Sequence, residues 1–233
     1  MILPRSADSV DTAELQHSLS RHGISVAALG TGAGRIVQNL MLTAEDEAVR
    51  TAARKFIGSL IDLGRSLGAP AIIGSMQGRI EPHQDREQVL DWLRDALNDL
   101  GERAATHGVP LLVEPLNRYE TNVFNTLGQT VEFVSTLATK NVRVQADLFH
   151  MNIEEADLAA AIRRAGSLVG HVDFADSNRQ AMGFGHTDIA PVIIALREIG
   201  YTGYLAAEVF PVPSADAAAE QSLTAMRRAI GGS

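Results

Sequence analysis

Four acidic residues between positions 114 and 208 stand directly after short apolar runs. Leu111, Leu112 and Val113 lead into Glu114. Val144, Gln145 and Ala146 lead into Asp147, with His150 three residues further on. Val169 and Gly170 lead through His171 and Val172 to Asp173, and Leu205, Ala206 and Ala207 lead into Glu208. If those runs are neighbouring parallel strands, their C-terminal ends face one ligand site and aim the four carboxylates at it. Carboxylates brought together repel each other and lose hydration, and a divalent cation removes both penalties. An oxygen-rich donor set suits Mn²⁺ or Mg²⁺ better than softer ions. A single Asp at a strand end commonly caps a helix or opens a turn; four in succession do not reduce to that. His171 and Asp173 share a strand face, because side chains alternate, and Asp173 is nearer the C-terminal end, so Asp173 is the expected ligand. His150 taken alone reads equally well as a half-buried structural histidine.

Positioning such a set needs strands alternating with helices, and the chain has that pattern. Residues 24–29 (ISVAAL) are strand-like and end in a glycine turn at Gly30 and Gly32. Residues 43–68 carry Val49, Ala52, Phe56, Leu60 and Leu63 at spacings of three and four, which predicts a helix capped by Thr43 and stopped at Gly68. Further strands are predicted at 69–73, 110–113, 142–146, 168–174 and 204–209, and helices at 86–106, 130–137, 154–165, 189–199 and 215–230. Six strand-then-helix units in a row mean parallel strands covered by helices. A doubly wound sheet and a (β/α)8 barrel both satisfy that alternation. One more helix, over 12–22, is preceded only by a stub at Ile2 and Leu3, so the count falls short of eight units. No Pro/Ser-rich linker or low-complexity block divides the sequence, which predicts a single domain over 1–233.

Composition narrows the partners. The 233 residues are 45% hydrophobic and 21% charged, enough to bury a full core. The formal net charge of −8 repels phosphate backbones, which argues against nucleic acid and anionic membranes as partners. With no cysteine, disulfides, thiolate metal sites and cysteine nucleophiles are excluded. The first residues carry Pro4, Arg5, Asp8 and Asp11 and lack the apolar core of a signal peptide, and no apolar run approaches a membrane span. A soluble cytoplasmic protein is expected.

Five segments together resemble the xylose-isomerase-like TIM-barrel superfamily: 114–120 (EPLNRYE), 147–155 (DLFHMNIEE), 171–179 (HVDFADSNR), 183–188 (GFGHTD) and 207–208 (AE). Within it the likeness is to sugar epimerases and isomerases of the D-tagatose 3-epimerase and 5-keto-L-gluconate epimerase type. It covers residues 24 to 213 and is strongest from 108 to 213. The resemblance implies one divalent metal ion at the barrel mouth and a small-molecule sugar substrate. It makes Glu114 and Glu208 metal-bound glutamates that also act as acid and base, and Asp147 an aspartate ligand. His150 and Arg179 would hold substrate oxygens, and Glu120 would lie near the terminal hydroxyl. Without the resemblance, Arg179 reads as a loop arginine and Glu120 as a solvated charge.

The sequence departs from the family pattern twice. These epimerases usually carry His-x-His where this chain has His171, Val172 and Asp173, so Asp173 stands in the place of a histidine ligand. The related hydroxypyruvate isomerase has glutamine there. Aspartate is a competent hard ligand. It adds a negative charge, which should raise the proton affinity of a neighbouring glutamate and disfavour Zn²⁺ against Mg²⁺ or Mn²⁺. Secondly, family members open with a strand and helix ahead of the segment matching 3–8. The expected fold is therefore an α/β, (β/α)8 TIM barrel lacking its first strand and helix. The exposed edge this leaves makes a homodimer or homotetramer an expected partner state.

The chemistry that follows is a metal-dependent sugar epimerase or aldose–ketose isomerase acting on a ketose or keto-sugar acid. The C–H beside a ketone is too weak an acid to ionise unaided, and a cation on the neighbouring oxygens stabilises the enediolate. Return of the proton to the opposite face inverts the carbon; return to the next carbon isomerises the sugar. The competing reading is a non-catalytic sugar-binding or scaffold paralogue with an incomplete barrel. The run 30–35 (GTGAGR) is not a dinucleotide fingerprint, since Arg35 takes the place of its last glycine. A nuclease of the same superfamily would need several zinc-binding histidines and a basic groove, which the net charge of −8 opposes.

Overall fold

Most helices of this chain begin where a side-chain oxygen is offered to the first orphan N–H groups. The structure is a computed structural model and describes residues 1–231. In chain order the elements are α1 (Thr12–His22), β1 (Leu29–Gly30), α2 (Gly32–Gln38), α3 (Glu47–Leu67), β2 (Ala71–Ile73), α4 (Arg86–Ala105), β3 (Leu111–Val113) and α5 (Leu127–Ser135). They continue with β4 (Val142–Asp147), α6 (Leu148–Glu154), α7 (Leu158–Ala165), β5 (Val169–Asp173), α8 (Ala190–Glu198), β6 (Leu205–Ala206) and α9 (Ala215–Ile230). Asp11, Asp46, Asp85, Asp147, Asp157 and Ser214 each cap the helix that follows by accepting a backbone N–H. Among the described residues, no helix is long and apolar enough to cross a membrane.

The residues group into two compact units. The first comprises Met1–Val113, Glu120–Val123 and Phe133–Arg143; the second comprises Glu114–Tyr119, Phe124–Glu132 and the chain from Val144 onward. In the first unit β1 pairs with β2 and β2 with β3, all parallel, with Leu29 opposite Ala71 and Ala71 opposite Leu111. Ile2 bridges Leu29 in parallel. Ala28, Ile72 and Leu112 form a buried cluster that Met1 packs against. α3 buries Phe56, Ile57, Leu60, Ile61 and Leu63, each contributing roughly 1.5–3 kcal/mol relative to exposure.

In the second unit β4 pairs with β5 and β5 with β6, again parallel. The β4–β5 register shifts between Val144 and Gln145, after which Gln145 faces His171, Ala146 faces Val172 and Asp147 faces Asp173. α7 packs on α8, with Ala159, Ile162, Val192 and Leu196 all buried.

Several boundaries differ from the sequence reading, each for a local reason. The helix expected from 43 starts at Glu47: Asp46 supplies the cap, while the Thr43 hydroxyl donates to the Arg79 carbonyl at 3.1 Å. Of the strand expected at 24–29 only Leu29 carries strand pairing, and the glycine turn after it winds into α2. The helix expected over 154–165 is two helices, because Glu155 is extended and Asp157 caps a new start. The strand expected at 204–209 is paired only at Leu205 and Ala206.

Gly64 shows close approach deciding a residue type. Helix propensity favours alanine over glycine by about 1 kcal/mol. A Cβ on Gly64 would nevertheless sit 2.3 Å from the Ala69 carbonyl oxygen, which is backbone and cannot swing away. Gly64→Ala is therefore expected to destabilise the protein by about 1–3 kcal/mol, read as a lower urea midpoint at unchanged slope.

Candidate metal centre

Asp147 ends β4 and caps α6, and the two jobs divide its carboxylate. Oδ1 accepts the Phe149 N–H at 2.7 Å. Oδ2 is buried with no hydrogen-bond partner and lies 3.6 Å from Nε2 of His150, one turn along the same helix. Glu114, the residue after β3, is 7% exposed, and its Oε1 lies 3.9 Å from the same His150 nitrogen. Ligand-capable atoms of Glu114, Asp147 and His150 all lie within 4.8 Å of one another.

Asp173 ends β5 opposite Asp147 and is 0% exposed. Its Oδ2 accepts the Gln145 side-chain amide at 2.6 Å. Its Oδ1 has no hydrogen-bond partner and stands 3.5 Å from His171 Nε2. Glu208 follows β6 by two residues and is half-buried. One of its oxygens accepts from Arg179 at 2.7 Å, and the Arg179 guanidinium lies 4.9 Å from the centre of the Phe149 ring.

The electrostatics match that geometry. Burial first, and then the negative charges of Asp147, Asp173 and Glu208, push the Glu114 carboxyl well above its ordinary range, with Arg179 opposing. Burial and the charge of Asp173 raise Asp147 as well, against Arg179 and the Phe149 N–H. For His150, burial and the Arg179 charge outweigh Glu154 and lower the imidazole to about 3, so the ring is neutral at physiological pH.

A single carboxylate organises the loop that carries Arg179. Asp176 is 1% exposed and accepts four backbone N–H groups, from Ser177, Gly183, Gly185 and Thr187, at 2.7 to 3.0 Å. Burial alone would raise its carboxyl; the four donors reverse that and hold it at about 2. Gly185 approaches so closely that a Cβ there would lie 2.4 Å from Asp176 Oδ1. Arg179 has φ of 58°, a strained backbone for a side-chain-bearing residue. Its N–H donates to the Asp176 carbonyl at 2.9 Å and its carbonyl accepts the Phe210 N–H at 2.7 Å.

The structure thus brings Glu114, Asp147, Asp173, His150, Arg179 and Glu208 into one electrostatically coupled group within the second unit. Glu120 belongs to the first unit and is exposed. Asn117, Gln145, Phe149 and Asp176 join the site without having been singled out. Asn117, Phe149 and Asp176 lie inside quoted motifs, and Gln145 is an amide within the otherwise apolar end of a strand.

A divalent cation fits these residues. Asp147 Oδ2 and Asp173 Oδ1 are buried carboxyl oxygens without hydrogen-bond partners, on directly opposed residues. Leaving them so costs desolvation and repulsion together, and hard oxygens are what a hard cation takes.

Parallel strands, each followed by helix, with acidic residues at the C-terminal ends of those in the second unit, define an α/β protein whose ligand site lies at that end. The pattern described as "Xylose isomerase-like TIM barrel" matches residues 3–229, and the chain belongs to that family and has its fold. The chain is 34% identical over 204 residues to D-psicose 3-epimerase of Agrobacterium fabrum, covering 86% of this chain and 69% of that protein. It is 35% identical over 152 residues to 3-dehydro-D-guloside 4-epimerase of Escherichia coli, covering 62% of this chain and 56% of that protein. A crystal structure of a D-psicose 3-epimerase in the presence of D-fructose superposes with a TM-score of 0.84 at 29% identity, over 99% of this chain and 88% of that one.

Asp176→Asn leaves one acceptor oxygen and turns amide hydrogens toward backbone donors, so it should cost roughly 1–3 kcal/mol and open 177–187 to proteolysis. The wild-type contribution of Asp176 is full above about pH 4 and is lost as pH falls toward about 2, because its folded value lies below its unfolded one. Glu114 and Asp147 have the opposite sign. Their folded values are raised, so metal-free protein should gain Tm on acidification from neutral pH toward about pH 4. Mn²⁺ should then raise Tm more near pH 7.5 than near pH 5, as measured by calorimetry, following the same linkage.

Proposed function

We propose that this protein is a divalent-metal-dependent ketose epimerase, with Glu114 and Glu208 as its acid–base pair. The main support is a buried carboxylate, Glu114, whose proton is held well above the ordinary range by burial and by three neighbouring acids. Without metal such a group holds a proton near neutral pH, and a cation bound beside it would draw the value back down, which lets one carboxyl serve as acid in one direction and base in the other. Asp147 and Asp173, with the two glutamates, are the residues that would hold the cation, Mn²⁺ or Mg²⁺ by the hardness of the donors. When bound, the cation supplies Lewis-acid polarisation of the ketone and positive charge for the oxygen that becomes negative.

The chain's own residues do the rest. Glu208 takes the proton from the carbon beside the ketone, and Arg179 fixes the direction of its carboxylate through the 2.7 Å hydrogen bond. Glu114 delivers a proton to the opposite face, which inverts the carbon. In the reverse direction the roles exchange. His150, neutral and buried, hydrogen-bonds a substrate oxygen, and Arg179 holds another. The two named relatives share one chemistry: a 3-epimerase of a 2-ketose and a 4-epimerase of a 3-dehydro sugar both invert the carbon next to a ketone. We assign the same outcome to this chain. Its reading as one domain is supported by a single family match from 3 to 229. The non-catalytic alternative is not favoured, since a scaffold has no use for buried repelling carboxylates.

The test is incubation with a panel of ketoses and 3-keto-glycosides in D₂O with Mn²⁺, followed by NMR. Deuterium is expected at the carbon beside the ketone, with its epimer as product, and chelator should stop both. Glu114→Gln and Glu208→Gln should each slow exchange by about 10²–10⁴-fold while Tm is kept or raised. Wild-type exchange in either variant would remove the assignment.

A further inference from the structure

We propose that Asn117 is a positioning residue that fixes which nitrogen of His150 carries the hydrogen, making His150 a hydrogen-bond donor within the acidic group and not a cation ligand. Distance alone would admit His150 as a third ligand beside Glu114 and Asp147, since their atoms lie within 4.8 Å of one another. The direction of the hydrogen bonds decides otherwise.

The Asn117 amide is oriented by its own turn. Its Oδ1 accepts the backbone N–H of Tyr119 at 3.0 Å. Its Nδ2 is therefore the group lying 2.8 Å from His150 Nδ1. The backbone N–H of Asn117 donates to that same ring nitrogen at 3.1 Å. Two donors converging on Nδ1 require its lone pair, and a neutral imidazole that accepts at Nδ1 carries its hydrogen on Nε2. Nε2 is the atom that faces Asp147 Oδ2 and Glu114 Oε1. A ring nitrogen bearing hydrogen offers no lone pair to a cation.

The turn and the ring are held as one piece. The Arg118 N–H donates to Glu154 Oε1 at 2.6 Å, and its guanidinium grips both oxygens of that carboxylate at 2.9 Å. Glu154 lies one helical turn beyond His150 on α6. Asn117 and His150 are each 2% exposed. The consequence at the sugar, an Nε2–H aimed at a substrate oxygen, rests on the epimerase reading; the state of the ring does not.

The experiment is ¹⁵N NMR of full-length protein labelled at histidine, using two-bond correlations from the ring protons, before and after Mg²⁺. The His150 spin system is the one lost in His150→Gln. Nδ1 is expected unprotonated and Nε2 protonated, with and without Mg²⁺. Asn117→Asp presents a carboxylate that only accepts, so Nδ1 should become protonated and the sugar's KM should rise about tenfold, the factor for one lost hydrogen bond. A hydrogen on Nδ1 in the wild type overturns the proposal. So does loss of the Nε2 hydrogen on adding Mg²⁺, or an unchanged Nδ1 signal in Asn117→Asp. Should that variant not fold, the wild-type Mg²⁺ titration decides. Deuterium incorporation into sugar by the wild type is a separate readout, so a failed epimerase reading and a failed ring assignment give different results.

Discussion

Asp147 and Asp173 stand opposite each other on adjacent parallel strands, both buried, each with one oxygen that no hydrogen bond satisfies. Like charges in that position oppose folding. The protein tolerates the arrangement because the remaining oxygens are anchored: Asp147 by the N–H of Phe149, Asp173 by the amide of Gln145. The partnerless oxygens are those a cation would take. Glu114 is raised first by its own burial and then by the charges of this pair and of Glu208, which together make it hold its proton tightly. Burial and one strand register thus act together on the acids of the site.

Aspartate at 173 acts on the site through its charge. A histidine there would bring no charge, whereas the aspartate deepens the negative field on both Glu114 and Asp147. Arg179 is the compensating cation, and it opposes the shifts of both acids while lowering the imidazole of His150. Its place is set from a distance by Asp176, whose four backbone donors fold the loop 177–187 and tie down a residue with positive φ. The strain at Arg179 costs about 1–3 kcal/mol. Hydrogen bonds on both sides of its Cα, its N–H to the Asp176 carbonyl and its carbonyl from the Phe210 N–H, hold it there.

Helix α6 carries two of the polar groups on one turn. Asp147 caps it and His150 follows three residues later, so the Asp-x-x-His spacing puts a carboxylate oxygen and an imidazole side by side. The segment 117–119 then closes over that turn through Asn117 and Arg118. The segment 114–120 (EPLNRYE) thereby contains a buried carboxylate at its first position and a hydrogen-bond partner of His150 at its fourth.

Much of this was legible in the residues. Strand-then-helix alternation, aspartate caps and carboxylates after apolar runs are local signals, and they gave the fold class, α1 and α9 at their observed bounds, and the acidic set. Boundaries failed where neighbours competed, as at Thr43, whose hydroxyl is taken by Arg79 while Asp46 caps α3. Gln145, Asn117 and Asp176 carried no separable signal, because an amide or carboxylate gains its meaning from what lies across space. The sequence by itself determined which acidic side chains follow apolar strands. Only the tertiary structure decided that Asp147 faces Asp173, that Arg179 reaches Glu208, and that His150 turns Nδ1 to Asn117. The physical reason is that hydrogen-bond direction and strand register are relations between residues distant in the chain, and no local spacing encodes them.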